Sequence, residues 1–193
     1  MDNLINPNGQ VNLGYFDSSP KTVNFEDFDL RNNMDNPITG LRKKMGFNQF
    51  QFIGLTGNDF ILGVAIVSLK WVNNCFIYIY QPSTQTFKEY SWLKPLSIGL
   101  TTSNKPNAGT WSFKSGNNQV TINAENGKRT LDLKVGNELT ANVELDETNN
   151  YNPLPVCCRA GYNGWVFTQK TTALDFTGDI IWQGTKINSN NML

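Results

Sequence analysis

The sequence predicts an all-β protein, an antiparallel barrel or a strongly curved sandwich, and three observations carry that prediction. Turn signals such as Thr56-Gly57-Asn58-Asp59, Ser115-Gly116-Asn117-Asn118, Asn126-Gly127 and Gly136-Asn137 recur about every ten residues. The short apolar runs between them alternate with period two. No segment sustains a helical period over more than about two turns.

Met1 to Gln10 is polar and rich in Asn, and Met1 to Asn8 is expected to fray. Phe25 to Leu30 has helical spacing over two turns only, and Gly40 to Gly46 is too short and too basic to build a helix on. Phe50 to Leu55 and Phe60 to Leu69 are predicted strands. In the second, Phe60, Leu62, Val64 and Ile66 oppose Ile61, Ala65, Val67 and Leu69, so both faces demand cover. The next strand repeats this with Ile77 and Ile79 against Phe76, Tyr78 and Tyr80, and Thr86 to Trp92 forms an aromatic strand. Gln119 to Asp146 contains three strands joined by short turns, each with one apolar and one wet face: Val120, Ile122 and Ala124; Leu131, Leu133 and Val135; Leu139, Ala141, Val143 and Leu145. Asp179 to Ile187 is read as one last strand, apolar on both faces. The domain reading is an extension over 1–46 packing on the barrel, a barrel domain over 47–187 and a frayed tail over 188–193.

Composition excludes more than it assigns. The 193 residues are enough for one core that buries roughly 70% of the unfolded surface. Sixteen basic and sixteen acidic residues cancel, so the basic footprint of a nucleic-acid binder is missing. There is no histidine, which removes Ser-His-Asp and Cys-His catalysis and histidine-ligated zinc together. No cofactor is expected and no metal: Asp17, Glu26, Asp27 and Asp29 lack any metal-loop spacing and read as solvated surface. Cys75 stands alone and Cys157-Cys158 are adjacent, a geometry poor for a disulfide. With no signal-peptide pattern and no apolar run near 18 residues, the expectation is a cytoplasmic protein without a membrane span.

The segment Phe167-Thr168-Gln169-Lys170 followed by Leu174-Asp175-Phe176-Thr177-Gly178 resembles the "aromatic-Thr-x-Lys … Leu-x-x-x-Gly" signature of the domain of unknown function 2804 family. Asn12-Leu13-Gly14-Tyr15-Phe16 with Pro20 is similar to that family's opening segment. Leu41-Arg42-Lys43-Lys44 leads into the two apolar strands in the family's order. Phe47 and Phe50 stand where tryptophans are expected, and relatives continue beyond the Gly178 strand, so a missing second half is expected to cover the last strand. The resemblance implies a lipocalin-like, calycin-like antiparallel barrel related to the carotenoid hydratase group, whose barrels hold a long apolar ligand.

On that implied fold, the leading expectation is a non-enzymatic protein that binds an apolar small molecule, of the lipid or isoprenoid type, in the barrel. Lys170 and Thr168 share one side of a strand with Trp165 and Phe167 on the other, and Lys170 or Arg159 is the candidate polar anchor. Tyr78 and Trp165 are candidate wall residues. Arg159 also stands beside Cys157-Cys158, where it could lower a thiol pKa; burial of one sulfur and exposure of the other is the simpler expectation. A second hypothesis is a hydratase or isomerase that protonates an alkene from a carboxylate, Glu89 or Asp175, which requires that carboxylate to be buried. A third is a structural half-domain whose strands from Phe60 to Tyr80 pair with a second copy or a missing second domain, leaving an apolar patch exposed on the isolated chain. A fourth is a carbohydrate-binding module, which needs exposed tryptophans among Trp71, Trp92, Trp111, Trp165 and Trp182.

Overall fold

A computed structural model describes residues 1–149, 152–171 and 174–187. The chain enters through a two-residue strand, β1 (Gly14–Tyr15), a 3-10 turn (Phe25–Asp27) and a one-and-a-half-turn helix, α1 (Gly40–Met45), which buries none of its residues. Four long strands follow in meander order, β2 (Gln49–Gly57), β3 (Phe60–Ser68), β4 (Val72–Gln81) and β5 (Thr86–Pro95). The chain then crosses through β6 (Leu100–Thr101) into β7 (Gly109–Ser115), β8 (Asn118–Glu125), β9 (Lys128–Val135) and β10 (Leu139–Asp146). A hairpin of β11 (Leu154–Ala160) and β12 (Gly164–Lys170) precedes β13 (Phe176–Trp182) and β14 (Thr185–Ile187).

These strands make three antiparallel sheets, ordered β2-β3-β4-β5, β14-β13-β10-β9-β8-β7-β6 and β1-β11-β12. The four- and seven-stranded sheets each turn one face into a single shared core. Ile53, Leu62, Val64 and Ile77 from the first meet Phe113, Ile122, Leu131 and Val143 from the second, as period-two alternation dictates. At its margin the buried Arg129 guanidinium donates to Glu147 at 2.6 Å and to the Pro106 carbonyl at 3.1 Å. The three-stranded sheet packs with the N-terminal extension around a second, smaller core of Leu4, Ile5, Val23 and Cys157.

Four expectations change. No sheet closes into a barrel: β2 and β5, and β14 and β6, are open edges, and the inner residues of β8 to β10 meet the opposing sheet rather than a lumen. The last strand is a hairpin, because Gln183 and Gly184 adopt left-handed backbone and turn the chain; Ile187 therefore lies opposite Ile180 rather than on the other face. The Asn-rich start is pinned, since Lys21 and Thr22 donate to the Met1 and Asp2 carbonyls while Leu4 and Ile5 are buried. Gly40 to Met45 is helical despite its three basic residues, because Arg42, Lys43 and Lys44 crowd its last turn, where cations suit the helix dipole. The tail at 188–193, expected to fray, lies outside the described residues. No helix among the described residues is long and apolar enough to cross a membrane.

Gly178, the closing glycine of the family-like signature, has a specific reason to be glycine. It sits at φ 131° in β13, and a Cβ there would come within 2.1 Å of the Asn142 carbonyl oxygen on β10.

Candidate functional site

The residues singled out from the sequence do not converge. Lys170 and Thr168 do share a face of β12, and Trp165 and Phe167 do take the other, yet the polar pair faces outward. Lys170 is exposed at the end of an edge strand, opposite Leu154, with no apolar lumen around it. Arg159 is exposed opposite Trp165. Trp165 is structural: its ring lies 5.9 Å edge-on to Phe28 and 6.3 Å from both Phe25 and Phe47. Phe25 and Phe47 stack at 4.3 Å, with Lys43 over one ring and Lys70 over the other. Burial lowers the Lys70 ammonium below the ordinary lysine value, an effect partly offset by Glu26.

Glu89 lies on the four-stranded sheet, across from Tyr78, and so in a different sheet from Lys170. Asp175 precedes β13, where its carbonyl accepts from Asp146 N–H. Both carboxylates are exposed, the opposite of what a burial-tuned proton donor needs. Among the described residues, no three His, Cys, Asp or Glu side chains gather as a metal site. Of the adjacent cysteines, Cys157 points inward and Cys158 out, as alternation on β11 requires. Burial raises the Cys75 thiol to about 12 and the Cys157 thiol to about 11, so neither is an activated nucleophile.

Of the tryptophans, Trp111 and Trp182 are buried in the core and Trp71 is the exposed one. Trp92 and Trp165 are half-buried. Two open depressions mark the surface, the larger of mixed lining and the smaller mainly polar. One, about 750 Å3, runs along Asp2, Asn6, Asn12 and Asn24; the other, about 310 Å3, along Lys114, Gln119 and Lys134.

What the molecule does display is the outer face of the four-stranded sheet. Its cross-strand rows are Phe50–Val67–Asn74–Leu93, Phe52–Ala65–Phe76–Ser91, Gly54–Gly63–Tyr78–Glu89 and Thr56–Ile61–Tyr80–Phe87. Phe50 (61% exposed), Phe52 (44%), Phe87 (57%) and Leu93 (69%) stand open to solvent. Glycines flatten this surface. The Tyr78 ring lies where a Cβ on Gly63 would be, at 2.2 Å, the Phe52 ring leans over Gly54, and Tyr78 stacks on Phe87 at 6.3 Å. The face carries one formal charge, Glu89, and that sits on edge strand β5. The two-faced character of Phe60 to Tyr80 was the sequence signal for it; the contributions of Phe50, Phe52 and Leu93 needed the register.

No curated protein and no solved structure matches the chain. The sequence profile of one family does, over residues 1–192, and the chain belongs to that family, Domain of unknown function (DUF2804).

Proposed function

We propose that this chain is a non-enzymatic association module whose four-stranded sheet packs, outer face to outer face, against a second copy. The observation that carries this reading is the exposed aromatic face itself, apolar across all four strands and nearly free of charge. Apolar patches of this kind on a soluble surface mark interaction sites. Four strands spaced about 4.8 Å apart over four cross-strand rows cover roughly 500 Å2 in projection, before the relief of the rings is counted. Two such faces together remove about 1,000 Å2 or more from water, the size at which specific interfaces begin. Sheet-on-sheet packing is the natural geometry, and a two-fold axis places each Glu89 at the rim, where it stays hydrated.

The same face, rather than a barrel lumen, is the surface an apolar small molecule of the lipid or isoprenoid type would use. Native mass spectrometry of the protein purified from its own cells, followed by organic extraction, separates the two occupants. The expected result is a dimer without extractable ligand that becomes monomeric in the double variant Phe52→Glu, Phe87→Glu. A monomer in the wild-type protein, or a stoichiometric apolar compound released from it, overturns the proposal.

A further inference from the structure

At one end of the four-stranded sheet two turns are tied into a single tip. The β3–β4 turn is closed by Leu69 N–H donating to the Val72 carbonyl at 3.0 Å, and the β5–β6 turn by Leu100 N–H donating to the Ser97 carbonyl at 3.2 Å. Leu96 N–H, in the second turn, donates to the Trp71 carbonyl of the first at 3.0 Å. Lys70 and Leu96 both adopt left-handed backbone, at φ 67° and 51°, an uncommon conformation for residues with side chains. The result is a hydrogen-bonded double loop rather than two independent ones.

This tip carries apolar side chains where loops ordinarily carry polar ones. Leu69 (41% exposed), Trp71 (66%), Leu96 (50%) and Ile98 (56%) all stand in solvent. Lysines stand close behind the tip: the Lys94 ammonium reaches the Gly99 turn, while the one carboxylate that acts on the tip, Glu26, faces the inward-turned Lys70. Residues 60–124 contain five lysines and a single carboxylate, Glu89. Lys94, next to last in β5, stands beside the tip. Lys114 N–H donates to the Gly99 carbonyl at 2.8 Å, which places that lysine directly behind the second turn. Lys114 and Lys134 line the open groove of about 310 Å3, so the groove abuts the tip. Lys70 itself turns back into the protein, where its ammonium donates to Gln49 at 2.9 Å.

We propose that the paired turns at 69–71 and 96–99 form a membrane-surface docking tip, which seats Leu69, Trp71, Leu96 and Ile98 in the headgroup layer of an anionic bilayer. Lys94, Lys114 and Lys134 face its phosphates. The indole of Trp71 has the amphipathic character that favours the membrane–water boundary. Apolar burial supplies the insertion, and each lysine near the surface adds to the attraction for anionic lipid. Lys94, Lys114 and Lys134 ring the apolar tip without a fixed pattern of partners, which suits the dispersed negative charge above an apolar layer that a lipid surface offers. The tip lies at the end of the sheet, so this docking is independent of the self-association proposed for its outer face.

The test is flotation of the full chain with vesicles of phosphatidylcholine alone and of phosphatidylcholine mixed with phosphatidylserine. The expected result is binding to the anionic vesicles only, weakened by added salt. Trp71→Ser and Ile98→Ser each lower it about tenfold, and Lys114→Glu with Lys134→Glu lowers it further. All four residues sit on the surface or in turns, and unchanged circular dichroism and melting confirm that the variants fold. Sedimentation velocity on the same proteins keeps the two proposals apart: the tip variants leave the oligomer unchanged, and Phe52→Glu with Phe87→Glu leaves vesicle binding in place. Absence of binding to anionic vesicles, binding that the tip variants do not alter, or loss of the oligomer in those variants overturns the docking tip.

Discussion

The two sheets of the sandwich solve the same problem on the inside and opposite problems on the outside. Inside, both turn alternate residues, Leu62, Val64, Ile77 and Ile79 on one and Ile122, Leu131, Leu133 and Val143 on the other, to one core. Outside, the seven-stranded sheet offers Thr121, Asp132, Asn142 and Asp179 across a row, and Lys128 pairs with Glu144 at 2.6 Å. The four-stranded sheet offers Phe52, Ala65, Phe76 and Ser91 in the equivalent place. A wet face needs no cover. An aromatic face open to water is the exception, and large exposed apolar patches of this kind mark interaction sites.

The largest expected effects test whether the inner faces really are equivalent. Ile77→Ala on β4 and Leu131→Ala on β9 each empty a fully buried site and are expected to cost about 2–5 kcal/mol. Urea denaturation checks this, and a large effect in one sheet with a negligible one in the other breaks the picture of a shared core. Gly178→Ala belongs in the same range, about 2–6 kcal/mol, since strain at positive φ adds to a backbone clash with β10.

A smaller effect sharpens the contrast between the outer faces. Tyr78→Ala removes a ring that covers Gly63 and stacks on Phe87, for an expected loss of about 1–2 kcal/mol. Thr121→Ala on the wet face is expected to change stability by less than about 0.5 kcal/mol. Equal costs in thermal or urea melts remove the distinction between the faces.

The smallest effect is local and belongs to the wet sheet's end. Asp146 is held at about 2 by the Thr148 hydroxyl first, then by the Thr148 N–H and the Asn149 amide. Its folded value lies below the ordinary carboxylate value of about 3.9. The contribution of this turn is therefore complete above about pH 4 and is lost as the pH falls towards 2. The Thr148 amide resonance should titrate across that window in the native protein and stay flat in Asp146→Asn. A titration midpoint near 4 contradicts the hydrogen-bonded turn.

The wet sheet was also the legible one. Strict alternation with short Gly-containing turns from Gln119 to Asp146 places β8, β9 and β10 nearly to the residue, because one buried face fixes register. The four-stranded sheet was legible as strands but not as a surface. Ile61, Tyr78 and Phe87 meet only once pairing is known, and a run apolar on both faces does not say which side is inside. The placement of the candidate site residues was not legible, for a different reason. Lys170, Arg159 and Glu89 belong to a barrel interior only on the fold that the resemblance implies, and with open sheets each falls on solvent. The Asn-rich start looked frayed because its partners, Thr22 and the β11–β12 hairpin, are distant or unremarkable in composition.

The second core joins the N-terminal extension to the β11–β12 hairpin. Gly14 pairs with Cys157, Ser19 bonds to Gln169, and Phe25, Phe28 and Phe47 close around Trp165. On a ribosome, where chains grow at about 5–20 residues per second, the extension emerges first and its partner hairpin emerges on the order of 10 s later. Through that interval Leu4, Ile5 and the three phenylalanines have one another and near residues such as Thr22 to pack and bond with, and lack the Cys157 and Trp165 side of their core. The extension is thus made well before the hairpin that completes its core, and a nascent chain exposes that half-built core throughout the synthesis of β2 to β10.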